Sequence, residues 1–189
     1  MTVQTPVQTE SLARLVTWWA LVFPAIMIVA LVLHSVRLQN WIHVLAGVLW
    51  TGADIFMGFI LGPVIRRLEP PQRTALIAYL VPKTLLYFPA VSLTTGTAGW
   101  YLAAWLGLTS PANAQFAWIV AALVLITLMT IMGLVIILPN SLRIWFELRK
   151  PEPDRTLIIR LNRNNIINAA IQGTMQILII VVMAHLVMG

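Results

Sequence analysis

Apolar residues fall into five long runs, at 15–34, 41–63, 83–106, 116–138 and 155–188, separated by short links that carry most of the charge. Each run reaches the ~20 residues that a helix needs to cross a bilayer. The pattern therefore predicts an all-α integral membrane protein, a single domain built as a bundle of five transmembrane helices. Trp18 and Trp19 stand near the start of the first run, where an interfacial aromatic belt is expected, and Pro24 inside it is tolerable in a membrane helix. The link at 35–40 is short, so the first two helices are expected to form an antiparallel hairpin. Residues 72–82 and 140–150 read as interfacial segments, because prolines (Pro82, Pro139) interrupt the pattern and the second segment mixes Arg143, Arg149 and Lys150 with Trp145 and Phe146. Pro153 and Asp154 suit the opening of the last helix.

The second run carries a polar stripe. At 3.6 residues per turn, His43, Gly47, Trp50 and Asp54 fall on one narrow face. A charged residue at mid-membrane costs about 3 kcal/mol even on lenient insertion scales, so that face is expected to look into protein rather than lipid. The fifth run has a similar line: Asn165, Asn168, Gln172, Gln176 and then Met183. Four amides in a row require a partner helix or an internal cavity. The third run carries Ser92, Gly96, Gly99 and Ala103, a small-residue stripe that lets a neighbouring helix come close.

Composition agrees with the pattern: of 189 residues, 60% are hydrophobic and 10% charged, far from soluble domains. The net charge of +6 would suggest nucleic acid in a soluble chain, but here the basic residues sit at the ends of apolar runs and act as topology signals. Arg66, Arg67, Arg73, Arg143, Arg149, Lys150 and Arg155 lie on one side, and Arg37 on the other. The positive-inside rule then predicts a cytoplasmic amino terminus and a periplasmic carboxyl terminus. The first residues lack the pattern of a cleaved signal peptide, so the first apolar run is expected to be kept. With no cysteine, thiolate-bound clusters, disulfides and redox thiols are excluded. No nucleophile triad, phosphate loop or metalloprotease motif is present.

This topology puts His34, His43 and His185 at the outer face. Two chemistries fit them. His34 and His43 flank the hairpin and could hold a copper ion with a soft thioether from Met183, Met188 or Met27. Alternatively, His43 with His185 or His34 could hold a haem iron from opposite faces. His185 lies about 160° around its helix from the amide stripe, which aims it away from a bundle interior defined by those amides. Asp54 needs either protonation or a partner, and Lys83 is one candidate, either as a structural bridge or in a proton path between the cytoplasm and the site.

Three segments, IHVLAGVLWTG, GPVIRRLEPPQR and PKTLLYFPAVSLTTGTAGWYL, together cover about residues 40 to 106. They resemble a superfamily of small bacterial membrane proteins. It contains the copper-resistance protein D membrane domain, the haem-biosynthesis J-type protoporphyrinogen oxidase and the membrane part of cytochrome c-linked urate oxidase. The resemblance implies a helical bundle in which the His of an H-x6-W-x-G pattern, here His43 with Trp50 and Gly52, ligates haem. It also implies a role for Lys83, which resembles the basic residue opening the corresponding helix of the protoporphyrinogen oxidases. Taken together, the expectation is a haem b protein of the bacterial inner membrane, serving electron transfer or haem-linked oxidation. His43 would be one ligand, His185 or His34 the other, Trp50 a wall of the pocket, and Asp54 and Lys83 would tune charge or protons. Such a protein would meet membrane lipid, a quinone or periplasmic cytochrome as redox partner, and, in some arrangements, a second copy of itself. The rivals are copper handling across the inner membrane and a cofactor-free scaffold subunit.

Overall fold

A computed structural model describes residues 10–188, excluding the side chains of 187 and 188, so the methionine at 188 lies outside the described side chains. Among the described residues every regular element is helical: α1 (Leu12–Leu15), α2 (Trp18–Val32), α3 (Val36–Arg67), α4 (Pro70–Trp105), α5 (Phe116–Leu148) and α6 (Arg155–Met188). Four of these, α3 to α6, are long and apolar enough to cross a membrane, whereas α2 is shorter than an ordinary crossing. The run expected as one helix at 15–34 is divided, because residues 16 and 17 are extended or irregular and α2 opens with a 3-10 turn, Trp18–Leu21. Pro24 falls in the first α-helical turn after it, where an N–H is not needed.

Two prolines expected to interrupt helices, Pro82 and Pro139, do not. Residues 72–82 form the first turns of α4, which starts on a capping box between Glu69 and Gln72 with Pro70 and Pro71 in its first turn, and runs on through Pro82 and Pro89. Lys83 therefore stands well inside α4 rather than at its start. Likewise 140–150 is no separate interfacial piece, since Leu138–Leu148 continues α5. The reason lies just upstream of the proline: a π-helical segment, Met132–Ile137, ends two residues before Pro139. The same arrangement recurs in α3, where the π segment Phe56–Leu61 ends two residues before Pro63. The wider i→i+5 turn relieves the clash between a proline ring and the carbonyl of the preceding turn, so each helix continues past its proline.

The bundle buries a set of polar side chains among its apolar core and is apolar on its outside. Gln39, Asp54, Thr94, Gln172 and Gln176 are buried, while Leu45, Val48, Phe59, Val124, Val135 and Val181 are exposed on the outside. That apolar outside suits contact with lipid, and close helix approach comes from glycines rather than from interlocking leucines. A Cβ on Gly58 would lie 2.6 Å from Ala170 Cα, and one on Gly62 would lie 2.5 Å from Ile166 Cγ2, so α3 and α6 nearly touch. An apolar cluster of Ile77, Ala78, Val81, Ile144, Trp145, Leu148 and Ile158 closes the end where the arginines gather, with Leu12 and Leu15 of α1 packed on it. A smaller cluster of Trp50, Val91 and Met129 fills the middle.

Alternating helix direction brings the starts of α3 and α5 to the same end of the bundle as the finishes of α2, α4 and α6. This histidine end has two sharp corners. In the first, His34 adopts a left-handed backbone (φ 51°) while Ser35 N–H bonds the Ala30 carbonyl (3.0 Å) and His34 N–H bonds the Leu31 carbonyl (3.1 Å). Ser35 Oγ then caps α3 by accepting from Leu38 N–H at 3.3 Å. Gly107 (φ 70°) plays the same part after α4. At the opposite, basic end, Asp154 caps α6 by accepting from Leu157 N–H at 3.0 Å.

Candidate functional site

The stripe of α3 faces α4 and α6, but it serves two levels. At the histidine end, His43 Nδ1 lies 2.9 Å from the Thr95 carbonyl oxygen of α4. A carbonyl can only accept, so Nδ1 carries the proton, and in the neutral ring the lone pair is on Nε2. Gly99, one turn further along α4, makes room: a Cβ there would lie 2.7 Å from His43 Cε1. A Cβ on Gly47 would lie 3.4 Å from the Thr95 methyl. One turn before His43 on the same face is Gln39, fully buried, with neither its amide nitrogen nor its oxygen bonded.

The other two histidines are engaged separately. His34 is exposed and stacked on Trp105 (4.9 Å between centroids), and His185 is exposed and stacked on Trp118 of α5 (4.0 Å). The outward aim expected of His185 is what the structure has. Among the described residues, no three of His, Asp and Glu come close enough together to hold a metal ion, and Met183 is half-buried on α6.

About 16 Å along α3 from His43, at 1.5 Å per residue, Asp54 is 1% exposed and its Oδ2 accepts from Gln176 Nε2 of α6 at 3.0 Å. Trp50, one turn back, lines the same cavity as Asp54. Trp50 therefore belongs to the Asp54 level, in the middle cluster, and not to a wall beside His43. The expected Asp54–Lys83 pair is not formed. Lys83 is exposed, its backbone carbonyl accepts from Thr17 Oγ1 at 3.0 Å, and the ion pair present among the described residues joins Lys150 to Glu147.

Below Asp54 the amides of α6 form a column toward the basic end. Gln172 Nε2 donates to the Met129 carbonyl at 2.7 Å, beside the π segment of α5. Asn165 Nδ2 donates to Ser141 Oγ at 3.0 Å, and Asn165 Oδ1 accepts from Asn140 Nδ2 at 3.0 Å. Asn168, on the same line, bonds back to its own helix at the Asn164 carbonyl. A cavity of about 90 Å³ runs beside this column, lined among others by Trp50, Asp54, Ser92, Asn162 and Gln172. Polar groups thus run from the basic end to a carboxyl in the bundle interior.

Gln39, Thr95 and Asn140 were not singled out from the sequence. Gln39 had a signal, since it extends the His43 stripe by one turn; the backbone acceptors of Thr95 and Met129 had none. Searches of family models, curated proteins and solved structures find no match to this chain.

At the histidine end the chain offers one oriented nitrogen donor and one unbonded buried amide. His43 offers an oriented imidazole, held through Nδ1 as iron-ligating histidines usually are. The unbonded amide of Gln39 beside it is a buried polar group that a ligand's polar edge would satisfy.

Proposed function

We propose that this chain is a haem b protein of the bacterial inner membrane, serving electron transfer or haem-linked oxidation, with His43 as one iron ligand. The observation that supports it is the fixed imidazole: Nδ1 on the Thr95 carbonyl, Gly99 clearing the ring, and Gln39 unpaired one turn away. In this reading the bundle crosses the membrane five times, α2 included, with the amino terminus in the cytoplasm and the histidine end at the periplasm. Haem b, when bound, supplies a one-electron couple. The chain's own residues do the rest. The Thr95 carbonyl fixes the tautomer and aim of His43, and the unbonded Gln39 amide one turn away would donate to a polar edge of the group held there. Asp54, tied to Gln176, is the buried group that holds or releases a proton. A quinone or a periplasmic cytochrome would exchange the electron, and Lys83, exposed on α4, acts on charge outside the Asp54 network.

An absorption spectrum with metal analysis of the detergent-purified protein tests this reading. A Soret band that disappears in His43→Ala, while the variant remains folded, is the expected result. Folded protein that is colourless after haem-replete expression, or that carries stoichiometric copper without haem, overturns it.

A further inference from the structure

A second cavity, of about 470 Å³, opens between the last third of α3 and α6 at the basic end, away from both His43 and Asp54. Its origin is in the backbone. The π segment and Gly58 and Gly62 let α3 press onto Ala170 and Ile166, and the groove is lined by residues flanking that crossing. Three arginines line it, Arg66 from the end of α3, Arg73 from the start of α4 and Arg163 from α6, and no acidic residue does.

Arg73 is held there. Its Nη2 donates to the carbonyls of Arg66 (2.9 Å) and Leu68 (2.8 Å), which cap the end of α3, while its Nε is buried with no partner. A buried charged donor left unbonded calls for an acceptor. Neither Arg66 nor Arg163 is in an ion pair among the described residues. Away from the arginines the lining turns apolar and outward, through Phe59, Ile167 and Ile171, each about half exposed. A free anion would use the charged end and leave the apolar side idle. A molecule with an anionic phosphate at one end and an acyl chain at the other uses both.

We propose that this groove binds an anionic phospholipid, its phosphate against Arg66, Arg73 and Arg163 and one acyl chain along Phe59, Ile167 and Ile171. The site is independent of any haem at the opposite end.

The test is lipid binding by full-length, delipidated protein in mild detergent, read by native mass spectrometry and by thermal unfolding. Phosphatidylglycerol, phosphatidylcholine and inorganic phosphate are added separately. Phosphatidylglycerol should bind and raise the melting temperature, with phosphatidylcholine and phosphate doing neither. The double variant Arg66→Gln/Arg163→Gln should weaken phosphatidylglycerol binding by at least ~10-fold, the size expected for losing a charge-assisted hydrogen bond. Arg73 is left intact because it caps α3. Ile171→Trp fills the apolar side without touching charge and should weaken binding as well, which keeps the test open if the double variant does not fold. Equal binding of phosphatidylcholine, undiminished binding by either folded variant, or full stabilisation by inorganic phosphate alone overturns the proposal.

Discussion

The two ends of this bundle handle polarity in opposite ways. At the histidine end each polar side chain is dealt with singly: His34 and His185 lie against tryptophans, His43 rests on a backbone carbonyl, and Gln39 is bonded to nothing. From the middle toward the basic end the polar side chains are joined across helices, Gln176 to Asp54, Gln172 to Met129, and Asn165 to Asn140 and Ser141. Side-chain bonds that bridge helices fix their relative position, whereas singly placed groups leave atoms free for a ligand. Stability should therefore concentrate in the connected half, and ligand chemistry at the histidine end.

The largest effect is expected where the connected half is tightest. Gly58→Leu must move the α6 backbone, because even a Cβ would lie 2.6 Å from Ala170 Cα. Overpacking of this kind usually costs ~1–3 kcal/mol, and contact with backbone rather than a movable side chain puts it at or above the upper end. Gly52, whose Cβ would meet nothing within 4 Å, is the matched control, and Gly52→Leu should unfold in an SDS titration close to the parent chain. If the two variants unfold alike, α3 and α6 do not cross at Gly58.

Next comes the Asp54 bond. Gln176→Leu removes the amide from a carboxyl that is 1% exposed and has no cation beside it among the described residues. Stranding a buried polar group costs ~1–3 kcal/mol, more when it is charged. Asp54→Asn, which keeps an acceptor for Gln176, should cost less than ~1 kcal/mol by the same measure. The order Gln176→Leu well below Asp54→Asn in unfolding free energy is the expected result. The reverse order would mean that Asp54 contributes to stability through its charge.

Smaller again, Gly99→Ala acts at the histidine end. The new methyl would meet the His43 ring, which must leave the Thr95 carbonyl, so one hydrogen bond of about 1 kcal/mol is lost. Its larger consequence should be on the ligand. If His43 ligates the proposed haem, haem retained per folded protein should fall in Gly99→Ala, while Gly52→Ala leaves it unchanged. Equal retention in the two would detach His43 from ligand binding.

How much of this the sequence disclosed follows from the range of the interactions. The His43–Asp54 stripe and the amide line of α6 were legible because a helix repeats every 3.6 residues, and the structure turns both faces inward. The partners were not legible. Asp54 bonds a residue 122 positions away rather than the nearest lysine, and two of the key acceptors are main-chain carbonyls, which every residue has. Prolines misled in one direction: Pro82 and Pro139 read as helix ends, yet α4 runs through the one and a π turn carries α5 past the other. A local rule for soluble helices gives way where the surrounding bundle holds the chain.

The least effect, and the sharpest question about the histidine end, concerns its two corners. Both use a residue in the left-handed region to turn the chain, Gly107 after α4 and His34 after α2. Gly107→Ala forces a Cβ into that region and should cost about 1 kcal/mol. His34→Gly relieves a similar strain, but it gives up the stack on Trp105 and adds backbone entropy to the unfolded chain, ~0.5–1 kcal/mol. The opposing terms should leave its unfolding midpoint within the scatter of the parent protein. A loss for His34→Gly as large as that for Gly107→Ala would show that the imidazole itself holds the corner. Unchanged stability with a changed haem spectrum would instead make His34 the second ligand, its left-handed backbone kept for chemistry rather than for the turn.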